Sequence, residues 1–109
     1  LIRRWGAQGK IFFVHFRDVA GDASRFIEVF HDEGPTDMLE CIRAYHETGF
    51  DGTMRPDHVP ALAGESNESY GYATLGRLFA VGYITGLRDA TYGRPPARYG
   101  RHVGEDALR

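Results

Sequence analysis

The chain has 109 residues and a formal net charge of −2, with 42% hydrophobic and 26% charged residues. That length allows one domain at most, and an independent domain of this size buries about two-thirds of its unfolded surface, enough for a single core. The near-neutral balance gives no electrostatic footprint for nucleic acid or a membrane surface, and no apolar run reaches membrane-spanning length.

The single Cys41 excludes an internal disulfide and a cysteine-built zinc site. It fits a reducing compartment, and Leu1-Ile2-Arg3-Arg4-Trp5 lacks the apolar core of a signal peptide, so a cytoplasmic protein is expected. With no initiator Met and no capping element before the first apolar strand, the sequence reads as an excerpt from something longer.

In chain order, residues 1–10 read as the tail of a helix with Leu1, Ile2 and Trp5 on one side, closed by Gly6 and Gly9. Residues 11–15 are almost continuously apolar, the pattern of a strand buried on both faces. A polar turn follows around Gly21 and Asp22, and residues 26–30 read as a short extended segment with imperfect alternation. Pro35-Thr36-Asp37 starts a helix, with Asp37 as cap and Glu40 three residues on, both favourable at the positive end of the helix dipole. Met38, Leu39, Ile42 and Tyr45 form its apolar stripe, opposite Glu40, Arg43 and Glu47, and Gly49 stands where a left-handed closing residue belongs.

Residues 50–55 then read as a second strand, followed by a loop rich in Pro, Gly, Ser and Asn to about residue 69. The pattern predicts a helix over 72–89, with Leu75, Phe79, Gly82 and Gly86 on one side and Leu78 and Tyr83 beside them. A glycine inside a helix costs about 1 kcal/mol against alanine, so Gly76, Gly82 and Gly86 call for close approach to another element. Residues 91–109, rich in Gly, Pro and Arg, read as a poorly ordered tail. Strand, helix, strand, helix is the repeat of an α/β protein with a parallel sheet.

Candidate chemistry gathers at the ends of the two strands. His15 closes the first apolar run; on its own it is more often a satisfied core residue, but at a strand end its imidazole can bind a divalent metal. Arg17, two residues on, shares its side and can hold a carboxylate in a bidentate pair, the plainer reading being an ion pair with Asp18 or Glu28. Pro56 and Pro60 restrict the backbone around Asp57 and His58. Asp57 is an oxygen ligand suited to Mn²⁺, Fe²⁺ or Mg²⁺, and His58 beside it is placed to move a proton. Tyr72 is a phenol that becomes a useful base only near a cation, and is otherwise a packing residue. Glu28 and His31 are further candidates for the same mouth, whereas His46 and Cys41 belong to the helix, the latter as a small core residue. No phosphate-binding glycine loop, Ser-His-Asp pattern or CxxC is present.

These residues also carry a resemblance. Val14-His15-Phe16-Arg17-Asp18-Val19, Asp37-Met38, Gly49-Phe50-Asp51-Gly52, Arg55-Pro56-Asp57-His58-Val59-Pro60, Gly71-Tyr72, Leu75-Gly76-Arg77 and Ala80-Val81-Gly82-Tyr83 together resemble the mannonate dehydratase family. The resemblance implies a xylose-isomerase-like TIM barrel, residues 1–90 supplying its last βα units as two or three parallel strands with two helices. It implies a hydro-lyase that converts D-mannonate to 2-dehydro-3-deoxy-D-gluconate in hexuronate breakdown with Mn²⁺ or Fe²⁺. Family members hold the metal with two histidines, a cysteine and an aspartate. His15 matches one of those histidines and Asp57 the aspartate, while His58 and Tyr72 match the proposed acid/base pair.

The other histidine and the cysteine lie earlier in the family's chain, so the sequence carries half a metal site, and Cys41, between the two motifs, is not the missing ligand. Arg17 is expected to meet the sugar-acid carboxylate. The implied partner is a small sugar acid, with no nucleic acid and no membrane, and a homo-oligomer is compatible with the sequence. Two other readings stand beside this one: another metal-dependent sugar isomerase or epimerase of the same barrel group, and an inactive fragment that folds only by association.

Overall fold

The computed structural model describes residues 1–65 and 73–93. Its elements are α1 (Ile2–Gly6), β1 (Phe13–Phe16), β2 (Asp18–Asp22), β3 (Arg25–Val29), α2 (Met38–Glu47), β4 (Thr53–Pro56) and α3 (Thr74–Tyr92). β1 and β4 pair in parallel, with Phe13 opposite Thr53, His15 opposite Arg55 and Phe16 opposite Pro56. β2 and β3 form a separate antiparallel hairpin in which Val19 faces Glu28. The described residues are thus mixed α/β, with a parallel pair, a hairpin and three helices.

α2 forms where its signals stand. Asp37 Oδ1 accepts from Glu40 N at 2.9 Å, satisfying one of the amides that a helix start leaves unpaired. The reciprocal half of a capping box is not made: the Glu40 carboxylate turns to Arg3, which also holds Glu47 and so ties α1 to α2. Gly49 takes φ +77°, the left-handed conformation expected after the helix. Met38, Ile42 and Tyr45 are buried, and with Val14, Phe16, Phe50 and Ile84 they make the core. Cys41 packs against that core half-buried, and burial pushes its thiol up from the ordinary range, as befits a packing residue.

Three expectations are corrected. Residues 11–15 do not form a strand buried on both faces. β1 begins at Phe13, Val14 and Phe16 face the core, and Phe12 and Phe13 stand 80% and 63% exposed. The described helices cover one face of the β1–β4 pair, and Phe13 and His15 lie on the opposite face.

The polar turn and extended segment are a full hairpin. Asp22 Oδ1 accepts from Ser24 N, Ser24 Oγ and Arg25 N, which folds the chain back within two residues and holds the Asp22 carboxyl below its usual range.

The last helix keeps the side that carries Leu75 and Phe79 outward. Gly76, Ala80 and Ile84 are buried, while Leu75, Leu78 and Phe79 are exposed. A Cβ at Gly76 would lie 2.1 Å from the Pro60 carbonyl oxygen, so close approach explains that glycine; Gly82 and Gly86 have no neighbour within 4 Å among the described residues, and it does not explain them. α3 also continues to Tyr92, whose hydroxyl donates to the Phe50 carbonyl at 2.9 Å and whose ring meets exposed His46 edge-on at 4.5 Å. The expected tail beyond residue 93 lies outside the described residues.

Candidate active site

Strand alternation decides what β1 presents. Val14 and Phe16 point to the helices, so His15 must point the other way, and Arg17 follows it in step. The parallel register sets Arg55 beside His15, and the next residue of the same parity on that chain is Asp57. Both strands therefore end together and deliver three polar side chains, His15, Arg17 and Asp57, to one place. His15 Nδ1 lies 3.4 Å from Asp57 Oδ1, and Arg17 Nη1 lies 3.4 Å from Asp57 Oδ2.

The hairpin adds a fourth group. Arg17 Nη1 donates to Glu28 Oε1 at 2.9 Å, and His58 Nδ1 stands 3.7 Å from the same oxygen. Glu28 Oε2 is buried and has no hydrogen-bond partner among the described residues. The hairpin is held at its base by Asp18, 3% exposed, which accepts from Val19 N, Thr36 N and Thr36 Oγ1. The plain reading of Arg17 as Glu28's ion-pair partner is therefore correct, and Asp57 is its second anion; Asp18 is not involved.

His31 does not join the cluster. It is 2% exposed, its Nε2 donates to the Phe16 carbonyl at 2.7 Å, and its ring stacks on Phe16. It secures the end of β1 from behind. Tyr72 lies outside the described residues. Glu28 is the member that sequence reasoning ranked too low: in the imperfect alternation of Phe26-Ile27-Glu28-Val29, only the pairing with Val19 shows where its carboxylate goes.

The donor set matches part of a divalent-metal site. Two donors sharing one such ion at roughly 2.1 Å each stand about 3.0–3.4 Å apart, which the His15–Asp57 separation of 3.4 Å meets. Imidazole and carboxylate suit Mn²⁺ and Fe²⁺. One guanidinium against two carboxylates also leaves the cluster short of positive charge when the rings are neutral. Among the described residues, however, no group of three His, Cys, Asp or Glu side chains is placed to hold a metal. The residues fit as part of a coordination sphere, not the whole of one.

With that geometry in view, comparison with known proteins is decisive. The family model of D-mannonate dehydratase (UxuA) matches residues 1–94. The chain belongs to the D-mannonate dehydratase family. It is 36% identical over 93 residues to mannonate dehydratase 2 of Halalkalibacterium halodurans, covering 83% of this chain and 27% of that one. It is 36% identical over 94 residues to mannonate dehydratase of Thermotoga petrophila, covering 83% and 26%. The crystal structure of mannonate dehydratase from Streptococcus suis serotype 2 superposes with a TM-score of 0.77 at 27% identity, over 88% of this chain and 29% of the other. The chain thus spans about a quarter of the length of the curated dehydratases it matches. The family match takes in His15, Arg17, Glu28, Asp57 and His58 alike.

Proposed function

We propose that this chain supplies part of a metal-dependent hydro-lyase site that dehydrates D-mannonate to 2-dehydro-3-deoxy-D-gluconate. The observation that carries the reading is the parallel register, which brings His15 and Arg17 from one strand end against Asp57 from the next, with His58 following Asp57 in the chain. The architecture is then the last βα units of a TIM barrel, whose sites lie at the C-terminal strand ends. In support, the helices cover one face of the parallel pair, and 88% of the chain superposes on 29% of a mannonate dehydratase. No helix among the described residues is long and apolar enough to cross a membrane, and a cytoplasmic catabolic role fits the lone cysteine.

Held by His15, Asp57 and further ligands that the described residues do not supply, Mn²⁺ or Fe²⁺ would act as a Lewis acid at the sugar-acid oxygens. Asp57 serves twice, facing His15 with one oxygen and Arg17 with the other. Arg17 meets the substrate carboxylate with the guanidinium N–H groups that Nη1's two anions leave over. His58 exchanges a proton with the substrate, paired with Tyr72 in acid/base roles.

The test is a hybrid in which residues 1–94 replace the matched segment of the Halalkalibacterium dehydratase. It is expected to turn over D-mannonate, and His58→Asn to reduce turnover at least 100-fold, the scale of lost acid/base catalysis. A folded, metal-loaded hybrid without turnover, or one indifferent to His58→Asn, would contradict the reading.

A further inference from the structure

His31 takes no part in the scheme above, yet it is all but fully buried at the end of β1. It is 2% exposed, and its Nε2–H donates to the Phe16 carbonyl at 2.7 Å. Its ring stacks on Phe16 with centroids 5.6 Å apart, and lies tilted against Tyr83 of α3 at 6.3 Å. The other ring nitrogen, Nδ1, is buried and has no hydrogen-bond partner among the described residues. A carbonyl only accepts, so Nε2 carries the proton and Nδ1 keeps a lone pair that nothing answers. Burying such an acceptor costs free energy that an apolar side chain of similar volume does not incur. What the imidazole supplies, and a leucine cannot, is the donor to Phe16.

That bond falls at one particular point. Phe16 is the last residue of β1, and Arg17 is the next in the chain. On the other side of Arg17, Asp18 accepts from Thr36 N and Thr36 Oγ1 and is itself 3% exposed. His31 and Thr36 therefore hold the chain on either side of Arg17. The guanidinium between them reaches Glu28 Oε1 at 2.9 Å and Asp57 Oδ2 at 3.4 Å. His31 comes to this point from the far end of the hairpin, two residues beyond Val29, which pairs with Asp18.

We propose that His31 is a positioning residue for Arg17: by holding the Phe16 carbonyl it fixes the Phe16–Arg17 peptide and so aims the guanidinium at the strand ends. The proposal rests on Arg17 as the group that meets the substrate carboxylate, and not on the dehydration chemistry. Arginine carries a long stem with many rotamers, and ordering it on binding a carboxylate costs entropy. A fixed backbone leaves fewer of those rotamers to lose. Without the His31 bond the peptide is free to turn, and both ion pairs of Arg17 loosen together.

In ¹⁵N spectra of the labelled 109-residue chain, the Arg17 Nη signals report how firmly the guanidinium is held. Separate, slowly exchanging Nη1 and Nη2 signals are expected in the unmodified chain, and also in His31→Gln, which keeps an amide donor in the place of the ring. His31→Leu is expected to merge them into one averaged signal while the amide shifts of Thr53, Met54 and Arg55 stay in place. In the hybrid, His31→Leu should raise KM for D-mannonate roughly tenfold with kcat little changed, the pattern of a weakened substrate anchor, and His31→Gln should restore it.

A single averaged Arg17 signal in the unmodified chain would overturn the proposal whether or not any variant folds. So would separate signals persisting in folded His31→Leu. Averaged signals accompanied by displaced β4 amide shifts would show that the ring serves packing alone, and would overturn it too. An unmodified hybrid that fails to turn over D-mannonate would sink the dehydratase reading, while the spectra still decide this one.

Discussion

Asp57 carries more of the site than any other residue, because each of its oxygens faces a different partner: His15 on one side, Arg17 on the other. Asp57→Asn keeps the shape but removes the charge that both partners face. In the hybrid it is expected to cut turnover far more than KM can account for, which steady-state kinetics would read. Asp57 and His58 were legible from their flanking prolines, and His15 from its place at the end of an apolar run. Glu28's role was not, because a carboxylate in a half-exposed hairpin looks the same in sequence whether it faces water or a neighbouring strand end. Only the Val19–Glu28 register separates the two.

At the scale of elements, the α3 glycines make opposite predictions. Gly76→Ala places a Cβ against the Pro60 carbonyl and must push the 57–65 loop away from α3, lowering the melting temperature. Gly82→Ala and Gly86→Ala meet no neighbour within 4 Å among the described residues and should each stabilise by up to about 1 kcal/mol. The same loop is pinned by Glu65, whose carboxylate accepts from Leu75 N, Leu62 N and Gly76 N. The Leu75 amide is the main cause, with Leu62 and Gly76 behind it, of a Glu65 carboxyl held below its ordinary value of 4.5. The folded value lies below the unfolded one, so this stabilisation is fully present above pH 4.5 and is lost as pH falls through the depressed value. Amide exchange at Leu75 and Gly76 should accelerate over that acid window, and Glu65→Gln should abolish the dependence. Helical periodicity placed α3 and grouped Leu75 and Phe79 on one side without deciding which side is buried. The structure buries Gly76, Ala80 and Ile84, because small residues let the helix approach the Val59–Pro60 segment.

For the molecule as a whole, the described residues build their core around fully buried Ile42, and Ile42→Ala should cost about 2–5 kcal/mol in urea unfolding. The parallel α/β order was legible because α2 and its caps leave one place for β1 and β4 to meet. The hairpin was not, since Phe26 and Ile27 are exposed and give β3 no apolar face to detect. The central claim is that two parallel strand ends bring His15 and Asp57 together as a shared metal-binding edge. Calorimetric titration of the hybrid with Mn²⁺ addresses it most directly. The account predicts binding that both His15→Ala and Asp57→Ala abolish and that His58→Asn leaves intact. Mn²⁺ affinity unchanged by Asp57→Ala, or lost with His58→Asn, would contradict it.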